Sequence, residues 1–160
     1  MGRKYIYFGL ISGLVILLDQ ITKMLVLAHI QLYQKITVIP GFFNLTHLMN
    51  PGGAFGFLAN SNSTVKNFIF IGASFAALVL ILYFYHQTPK KYPYLGASLA
   101  MIFGGAIGNL IDRFRFGEVV DFLDVYVGHM HWPAFNVADS GVSVGVAIFI
   151  IHILFRKTPF

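Results

Sequence analysis

The first long apolar stretch of the chain is YIYFGLISGLVILLDQITKMLVLAHI, residues 5–30, and only two charged residues, Asp19 and Lys23, interrupt it. The hydrocarbon core of a bilayer takes about 20 apolar residues in helical conformation, so this stretch predicts a first membrane span. Three further apolar stretches follow along the chain, at about residues 68–85, 94–113 and 137–155. We therefore predict a mainly α integral membrane protein with four transmembrane helices in a single domain, residues 1–160.

The composition supports a membrane protein. Of the 160 residues, 57% are apolar and 11% are charged, whereas soluble domains have about 45–50% apolar and about 25% charged residues. So few charges exclude a soluble enzyme, and the high hydrophobicity excludes a disordered chain. Cysteine is absent from the sequence, which excludes a disulfide framework, a thiolate nucleophile and a cysteine-ligated metal.

The basic residues predict the topology. The chain has 11 Lys and Arg residues, which do not form a patch suited to nucleic acid. Six of them form three pairs at the ends of spans: Arg3 and Lys4, Lys90 and Lys91, Arg156 and Lys157. Cytoplasmic loops of membrane proteins are enriched in Lys and Arg, so we expect both termini in the cytoplasm and the links 31–67 and 111–136 on the outer side.

The outer link 31–67 has a strand pattern. Residues 36–49, ITVIPGFFNLTHLM, are rich in β-branched and aromatic residues around a Pro-Gly turn, which predicts two short strands. The Gly-rich turn NPGGAFG follows at 50–56. We expect a small β-sheet cradle on the outer membrane surface. Pairs of glycines four residues apart predict notches where helices pack closely: Gly9/Gly13, Gly104/Gly108 and Gly141/Gly145.

The acids are concentrated at one end of the predicted bundle. The chain has six, and five of them lie between residues 112 and 139: Asp112, Glu118, Asp121, Asp124 and Asp139. A carboxylate at membrane level is costly unless it is paired or hydrated, and so it is a functional candidate. Burial in VVDFL favours the protonated form of Asp121, while a capping box with Asn136 at a helix N-terminus favours the ionised form of Asp139.

Two carboxylates in such different environments have the acid–base pattern of an aspartic protease. The alternative is that Asp139 only caps a helix and Asp121 is an interfacial charge. On span three, Asn109 and Asp112 lie near one face, and we expect Arg113 to pair with Asp112 and lock the end of the span. Asp19 and Lys23 are four residues apart on span one, which predicts a buried ion pair.

Two other motifs would indicate different chemistry, a serine nucleophile or a metal site, but each match is incomplete. GVSVG at 141–145 matches the G-x-S-x-G nucleophile motif, but it lies inside an apolar helix rather than at a strand-to-helix turn. His129 and His131 flank Met130 and would allow a metal, although no third ligand is evident. We therefore expect neither Ser143 as a nucleophile nor a metal site.

Four motifs, in this order and spacing, resemble the lipoprotein signal peptidase family, the bacterial type II signal peptidases: LDQITK at 18–23, NPGGAFG at 50–56, GGAIGNLIDRFRFGEVVDFLDV at 104–125 and FNVADS at 135–140. The chain departs from the family pattern at Gly53, where the family usually has Ala. The resemblance implies a membrane aspartic endopeptidase that removes the signal peptide of prolipoproteins by cleaving before a diacylglyceryl-modified Cys.

The resemblance also implies the site. It assigns catalysis to Asp121 and Asp139, and it matches eight further positions to substrate binding or support of the site: Asn50, Gly53, Asn109, Asp112, Arg113, Asn136, Asp19 and Lys23. It implies that the enzyme needs no metal or organic cofactor. It also implies that membrane lipid is a partner and that globomycin inhibits the enzyme. The expected location is the bacterial cytoplasmic (inner) membrane, with the active site toward the outer face. We expect a monomer.

The rival hypotheses are a small ion or solute transporter, with the acids lining its path, and a structural scaffold subunit. A channel predicts acids spread through the depth of the membrane. Here the cytoplasmic half of every predicted span lacks an acid, which favours the peptidase.

Overall fold

The computed structural model describes residues 2–52 and 63–155, without the side chains of residues 63 and 64. The described part contains four helices: α1 (Gly2–His29), α2 (Ser63–Gln87), α3 (Pro93–Phe116) and α4 (Val137–Phe155). All four are long and apolar enough to cross a membrane, so the predicted number and type of spans are confirmed.

Helices α1, α2 and α3 extend beyond the predicted membrane spans, and α1 begins at Gly2. Helix α2 begins at Ser63 rather than at residue 68, and α3 continues to Phe116. Hydropathy detects only the apolar part of a helix, which lies within the hydrocarbon. The helix itself continues through polar residues beyond the hydrocarbon. Helix α3 ends at Gly117, whose positive φ of 76° allows its N–H to bond the Arg113 carbonyl oxygen at 3.0 Å.

Helix α3 packs against the other three helices, and small residues allow the close approach. A Cβ atom added to Gly104 would lie 2.8 Å from the Ser12 carbonyl oxygen of α1, and one added to Gly145 of α4 would lie 2.8 Å from the Ser98 carbonyl oxygen of α3. The predicted packing notches are therefore confirmed on α3 and α4. The prediction for Gly9 and Gly13 was wrong within the described residues, since nothing lies within 4 Å of a Cβ at either position.

The links after α1 and after α3 form a four-stranded antiparallel sheet in the order β1 (Lys35–Ile39), β2 (Phe43–Asn50), β3 (Val119–Val127) and β4 (Met130–His131). Strands β1 and β2 confirm the predicted hairpin. Strands β3 and β4 were not predicted, because strands were assigned from the sequence only to residues 36–49 and no secondary structure to the link 111–136. The run VVDFLDVYV at 119–127 is nevertheless rich in β-branched and aromatic residues, as strands are.

The sheet rests on the C-terminal end of α1. Val120 and Phe122 of β3 form a buried cluster with Val26 and Ile30 at the C-terminal end of α1. Burying a large aliphatic or aromatic side chain contributes about 1.5–3 kcal/mol, so this contact fixes the position of β3 on the bundle. Asp121 lies between the two buried β3 residues, opposite Leu48 of β2.

Candidate active site

Asp121 is held on a strand, and both of its oxygens are bonded. The Asn50 side chain donates to Oδ2 at 2.9 Å, and the Asn136 side chain donates to Oδ1 at 2.8 Å. The residue is only 3% exposed. Burial raises the pKa of Asp121 to about 7, and the Asp139 charge adds to this against the opposing hydrogen bonds from Asn50 and Asn136. The carboxyl group can therefore carry a proton near neutral pH.

Asp139 lies in the first turn of α4, and the predicted capping box is confirmed. Its backbone N–H donates to Asn136 Oδ1 at 2.9 Å, and the backbone N–H of Asn136 donates to Asp139 Oδ2 at 3.3 Å. The Asn109 side chain donates to Asp139 Oδ1 at 2.7 Å. These donors, together with the positive end of the helix dipole, favour the carboxylate form.

Asn136 connects the two carboxylates, since its side chain contacts Asp121 and its backbone contacts Asp139. The same side-chain nitrogen also lies 3.1 Å from Asn109 Oδ1 and 3.2 Å from the Val120 carbonyl oxygen. Asn136 is fully buried. A buried amide with this many partners is rigid, so it fixes the two acids relative to each other.

The two carboxylates open into one cavity of about 630 Å³. Its polar side is formed by these acids with Asn50, Asn109 and Arg113. Its other walls come from residues 132–135 after β4 and from residues 140 and 142–144 of α4. The cavity thus combines an acid–base pair with a long, mostly apolar wall, the arrangement expected of a ligand site.

A buried ionic triad lies beside the acid pair. The Lys23 ammonium is 2.9 Å from Asp19 Oδ2 and 2.8 Å from Asp112 Oδ2, and all three side chains are at most 1% exposed. Lys23 also donates to Asn109 Oδ1 at 3.0 Å, and Asp19 Oδ1 accepts from the Ala138 N–H at 2.9 Å. The predicted Asp19–Lys23 pair is confirmed, and it holds α1, α3 and the start of α4 together.

The predicted partner of Asp112 was wrong. Asp112 pairs with Lys23 and accepts from the Val120 N–H at 3.1 Å, whereas Arg113 lies over the Phe70 ring at 5.0 Å and lines the cavity. Consecutive helix residues point in different directions, so Asp112 faces α1 while its neighbour faces α2 and the cavity. This leaves the Arg113 guanidinium available to the site.

The other candidate polar groups belong neither to the acid pair nor to the ionic triad. Asp124 is bonded to His131 Nδ1 at 2.6 Å, to Asn44 at 2.8 Å and to Lys35 at 3.1 Å. Burial raises the pKa of Asp124, but the bonds from these three donors outweigh that effect and hold the pKa below its usual range. Ser143 lies within helix α4, not at a strand-to-helix turn. The described ranges contain no group of three His, Cys, Asp or Glu side chains placed to hold a metal.

Three further parts of the site are Gly53, Gln20 and the cavity wall at 132–135. Gly53 lies outside the described residues, although the turn before it is anchored by a bond of 3.0 Å from the Gly52 N–H to Asn50 Oδ1. Gln20, which the sequence did not single out, donates to Asp19 and Asp112 at 3.1 and 3.2 Å. Its place inside the LDQITK motif of the first predicted span was the available signal. The wall at 132–135 was also missed, and its Trp-Pro pair was the available signal.

Comparison with known proteins gives consistent matches over nearly the whole chain. The family model described as signal peptidase (SPase) II matches residues 11–155. A lipoprotein signal peptidase of Desulforapulum autotrophicum is 51% identical over 157 residues, which cover 98% of this chain and 97% of the relative. A lipoprotein signal peptidase of Syntrophus aciditrophicus is 44% identical, with 98% of each chain covered.

Two solved structures, each described as a bacterial membrane enzyme determined by the in meso method, have the same fold. The structure at 2.3 Å resolution has a TM-score of 0.85 and 33% identity, covering 94% of this chain and 89% of the other. The structure at 1.9 Å resolution has a TM-score of 0.83 and 32% identity, with 94% of both chains covered. These matches give no support to the transporter hypothesis.

Proposed function

Because this chain belongs to the signal peptidase II family, and is therefore an aspartic-type membrane endopeptidase, we propose that Asp121 and Asp139 are its catalytic pair. Its relatives are named lipoprotein signal peptidases, and the enzyme removes signal peptides from prolipoproteins. The observation that carries the assignment is the geometry around Asn136, which bonds one carboxylate through its side chain and the other through its backbone. Both acids open into the same cavity.

The two acids have complementary roles in the proposed reaction. Asp139 takes a proton from a water molecule, and the water oxygen attacks the scissile carbonyl carbon. Asp121 gives its proton to the carbonyl oxygen, which yields a neutral gem-diol. Asp139 then passes its proton to the leaving nitrogen as the C–N bond breaks, and a gem-diol hydroxyl returns its proton to Asp121. Both carboxyl groups thus end in their starting protonation states.

The cavity walls support a lipid-modified substrate. The wall opposite the polar side is formed by Trp132, Phe135, Val142 and Val144, which suits the signal helix and the diacylglyceryl chains attached to the substrate Cys. Arg113 faces the same cavity, and we assign it to the polar backbone or the glyceryl ester of the substrate. Asn50 and Asn109 orient the two acids, and the Asp19–Lys23–Asp112 triad supports Asn109.

The proposal includes the topology. The cations of Arg3, Lys4, Lys90 and Lys91 mark the cytoplasmic end, so both termini lie in the cytoplasm and the active site faces outward in the cytoplasmic membrane. One chain supplies both acids and their supporting donors, so the proposed chemistry requires no second copy, and we propose that the enzyme acts as a monomer. Its chemistry uses the two carboxyl groups and water, without a metal or organic cofactor, and its family resemblance makes it a target of globomycin.

Cleavage of a diacylglyceryl-modified prolipoprotein by the purified protein tests the proposal. We expect Asp121→Asn and Asp139→Asn each to abolish cleavage and to elute as folded protein in detergent. Glu118→Gln is the matched control, since Glu118 is a nearby acid that does not line the cavity, and it should cleave at the wild-type rate. Turnover by either Asp variant at a near-normal rate would refute the assignment.

A further inference from the structure

A second cavity lies at the opposite end of the bundle from the acid pair. It has a volume of about 580 Å³, within the range of small-molecule sites. We call it the basic pocket, and define it by six of its lining residues: Arg3, Lys4, Phe8 and Ile11 of α1, Lys90 of the link between α2 and α3, and Ala97 of α3. The proposed peptidase reaction uses none of these residues.

The rim of the basic pocket is strongly positive. Arg3 and Lys90 are exposed, and neither has a carboxylate partner within 4.0 Å in the described part of the chain. The nearest acid along α1 is Asp19, about 24 Å from Arg3 at a rise of ~1.5 Å per residue. Asp19 is already paired with Lys23 at 2.9 Å, so it does not neutralise the rim.

Lys4 is fixed in place rather than free. Its ammonium donates to the carbonyl oxygens of Tyr85 at 2.5 Å, His86 at 3.1 Å and Thr88 at 2.6 Å, at the end of α2. Tyr85 in return donates its hydroxyl to the Lys4 carbonyl oxygen at 2.6 Å. These bonds join α1 to the end of α2 and hold a positive charge beside the pocket without presenting its hydrogen-bond donors to a ligand.

Below the rim, the pocket wall is apolar and lies along two membrane-spanning helices. Phe8 and Ile11 are one to two turns further into α1 than Arg3, and Ala97 is one turn into α3. Both helices are long and apolar enough to cross a bilayer. A ligand that fits this wall and this rim has an anionic head at the membrane surface and a hydrocarbon chain within the membrane.

We propose that the basic pocket binds an anionic glycerophospholipid, with its phosphate between Arg3 and Lys90 and one acyl chain against Phe8, Ile11 and Ala97. The charge of the rim selects an anionic head over a zwitterionic one, because each rim cation that faces the headgroup contributes about fivefold to the affinity for anionic lipid. This site goes beyond the proposed peptidase function, and it is separate from the lipid-modified substrate.

Native mass spectrometry of the full-length protein, released from detergent with added phospholipid, tests the site without any turnover. We expect bound phosphatidylglycerol to be retained several-fold more than phosphatidylcholine. Lys90→Gln should weaken phosphatidylglycerol binding about fivefold. Lys91→Gln is the matched control, because this neighbouring lysine contacts the Tyr92 ring at 4.9 Å and does not line the pocket; it should stay within about twofold of wild type.

Three outcomes would overturn the proposal. Equal retention of the two lipids would show that the rim does not select charge. An equal loss of binding in Lys90→Gln and Lys91→Gln would show a general surface attraction instead of a site. Displacement of the bound lipid by millimolar inorganic phosphate would identify a free anion as the occupant. Prolipoprotein cleavage by both variants at the wild-type rate shows that the compared proteins are folded.

Discussion

Replacing Lys23 by Met should destabilise the protein strongly, because it removes the cation of the buried triad. The ammonium lies 2.9 Å from Asp19 and 2.8 Å from Asp112, which are both fully buried. Without it, two carboxylates remain within the bundle with only neutral donors. Removing one partner of a buried ion pair costs about 3–5 kcal/mol. For a chain of this length that corresponds to a fall in Tm of about 6–20 °C, at ~2–4 °C per kcal/mol.

The control for this prediction is Lys35→Met. Lys35 also pairs with a buried carboxylate, at 3.1 Å from Asp124, but its side chain is 49% exposed. An exposed pair contributes about 0–1 kcal/mol, so we expect a fall in Tm of at most a few degrees. Thermal unfolding of both variants in the same detergent measures the difference. Adding Asp112→Asn to Lys23→Met removes one of the stranded charges and should recover part of the loss.

Two results would refute this reasoning. If Lys23→Met and Lys35→Met lower Tm by the same small amount, the triad does not stabilise the bundle. If the added Asp112→Asn lowers Tm further, the cost does not come from uncompensated carboxylates. In either case, the polar connection from α1 to the start of α4 would need another explanation.

Three further predictions follow from single contacts. Arg113→Ala should lower the cleavage rate and leave Tm nearly unchanged, because this guanidinium lines the cavity rather than the triad; a Tm loss like that of Lys23→Met would contradict this. Gly108→Ala should lower the free energy of unfolding by about 1–3 kcal/mol through overpacking, since the added Cβ would lie 2.6 Å from the buried Asp19 Oδ2. The control Gly9→Ala, with nothing within 4 Å of its Cβ, should not change Tm. Equal Tm values for the two variants would refute the packing argument. The Asn50 side chain lowers the pKa of Asp121 by bonding its carboxylate, so Asn50→Ala should move the alkaline limb of the kcat/KM profile to higher pH, and a shift to lower pH would contradict the assigned acid.

The features that the sequence predicted well depend on neighbouring residues. An apolar stretch of sufficient length predicts a membrane span, whichever other elements that helix packs against. The capping box of Asn136 and Asp139 requires only a helix N-terminus with those residues three apart. The Asp19–Lys23 pair needs only one helical turn. Each was found because the partners lie within a few residues in the chain.

The features that the sequence missed depend on how separate elements meet. Asp112 lies beside Lys23 because α1 packs on the glycine face of α3, and no spacing within α3 reveals which cation faces it. Strand β3 exists because β2 and the end of α1 cover it. Its sequence, VVDFLDVYV, has the composition of a strand, but Asp121 and Asp124 interrupt its apolar pattern.

The central claim is that Asp121 and Asp139 act as one acid–base pair, with the proton on Asp121 in the resting enzyme. Two coupled carboxyls have pKa values that belong to the pair, so a rate profile does not assign the proton. Infrared difference spectra that resolve carboxyl bands do assign it, when recorded near pH 6 on the wild type and on each single Asn variant. We predict that the protonated-carboxyl band is lost in Asp121→Asn and kept in Asp139→Asn. A band that survives Asp121→Asn and vanishes in Asp139→Asn, in folded protein, would contradict the account.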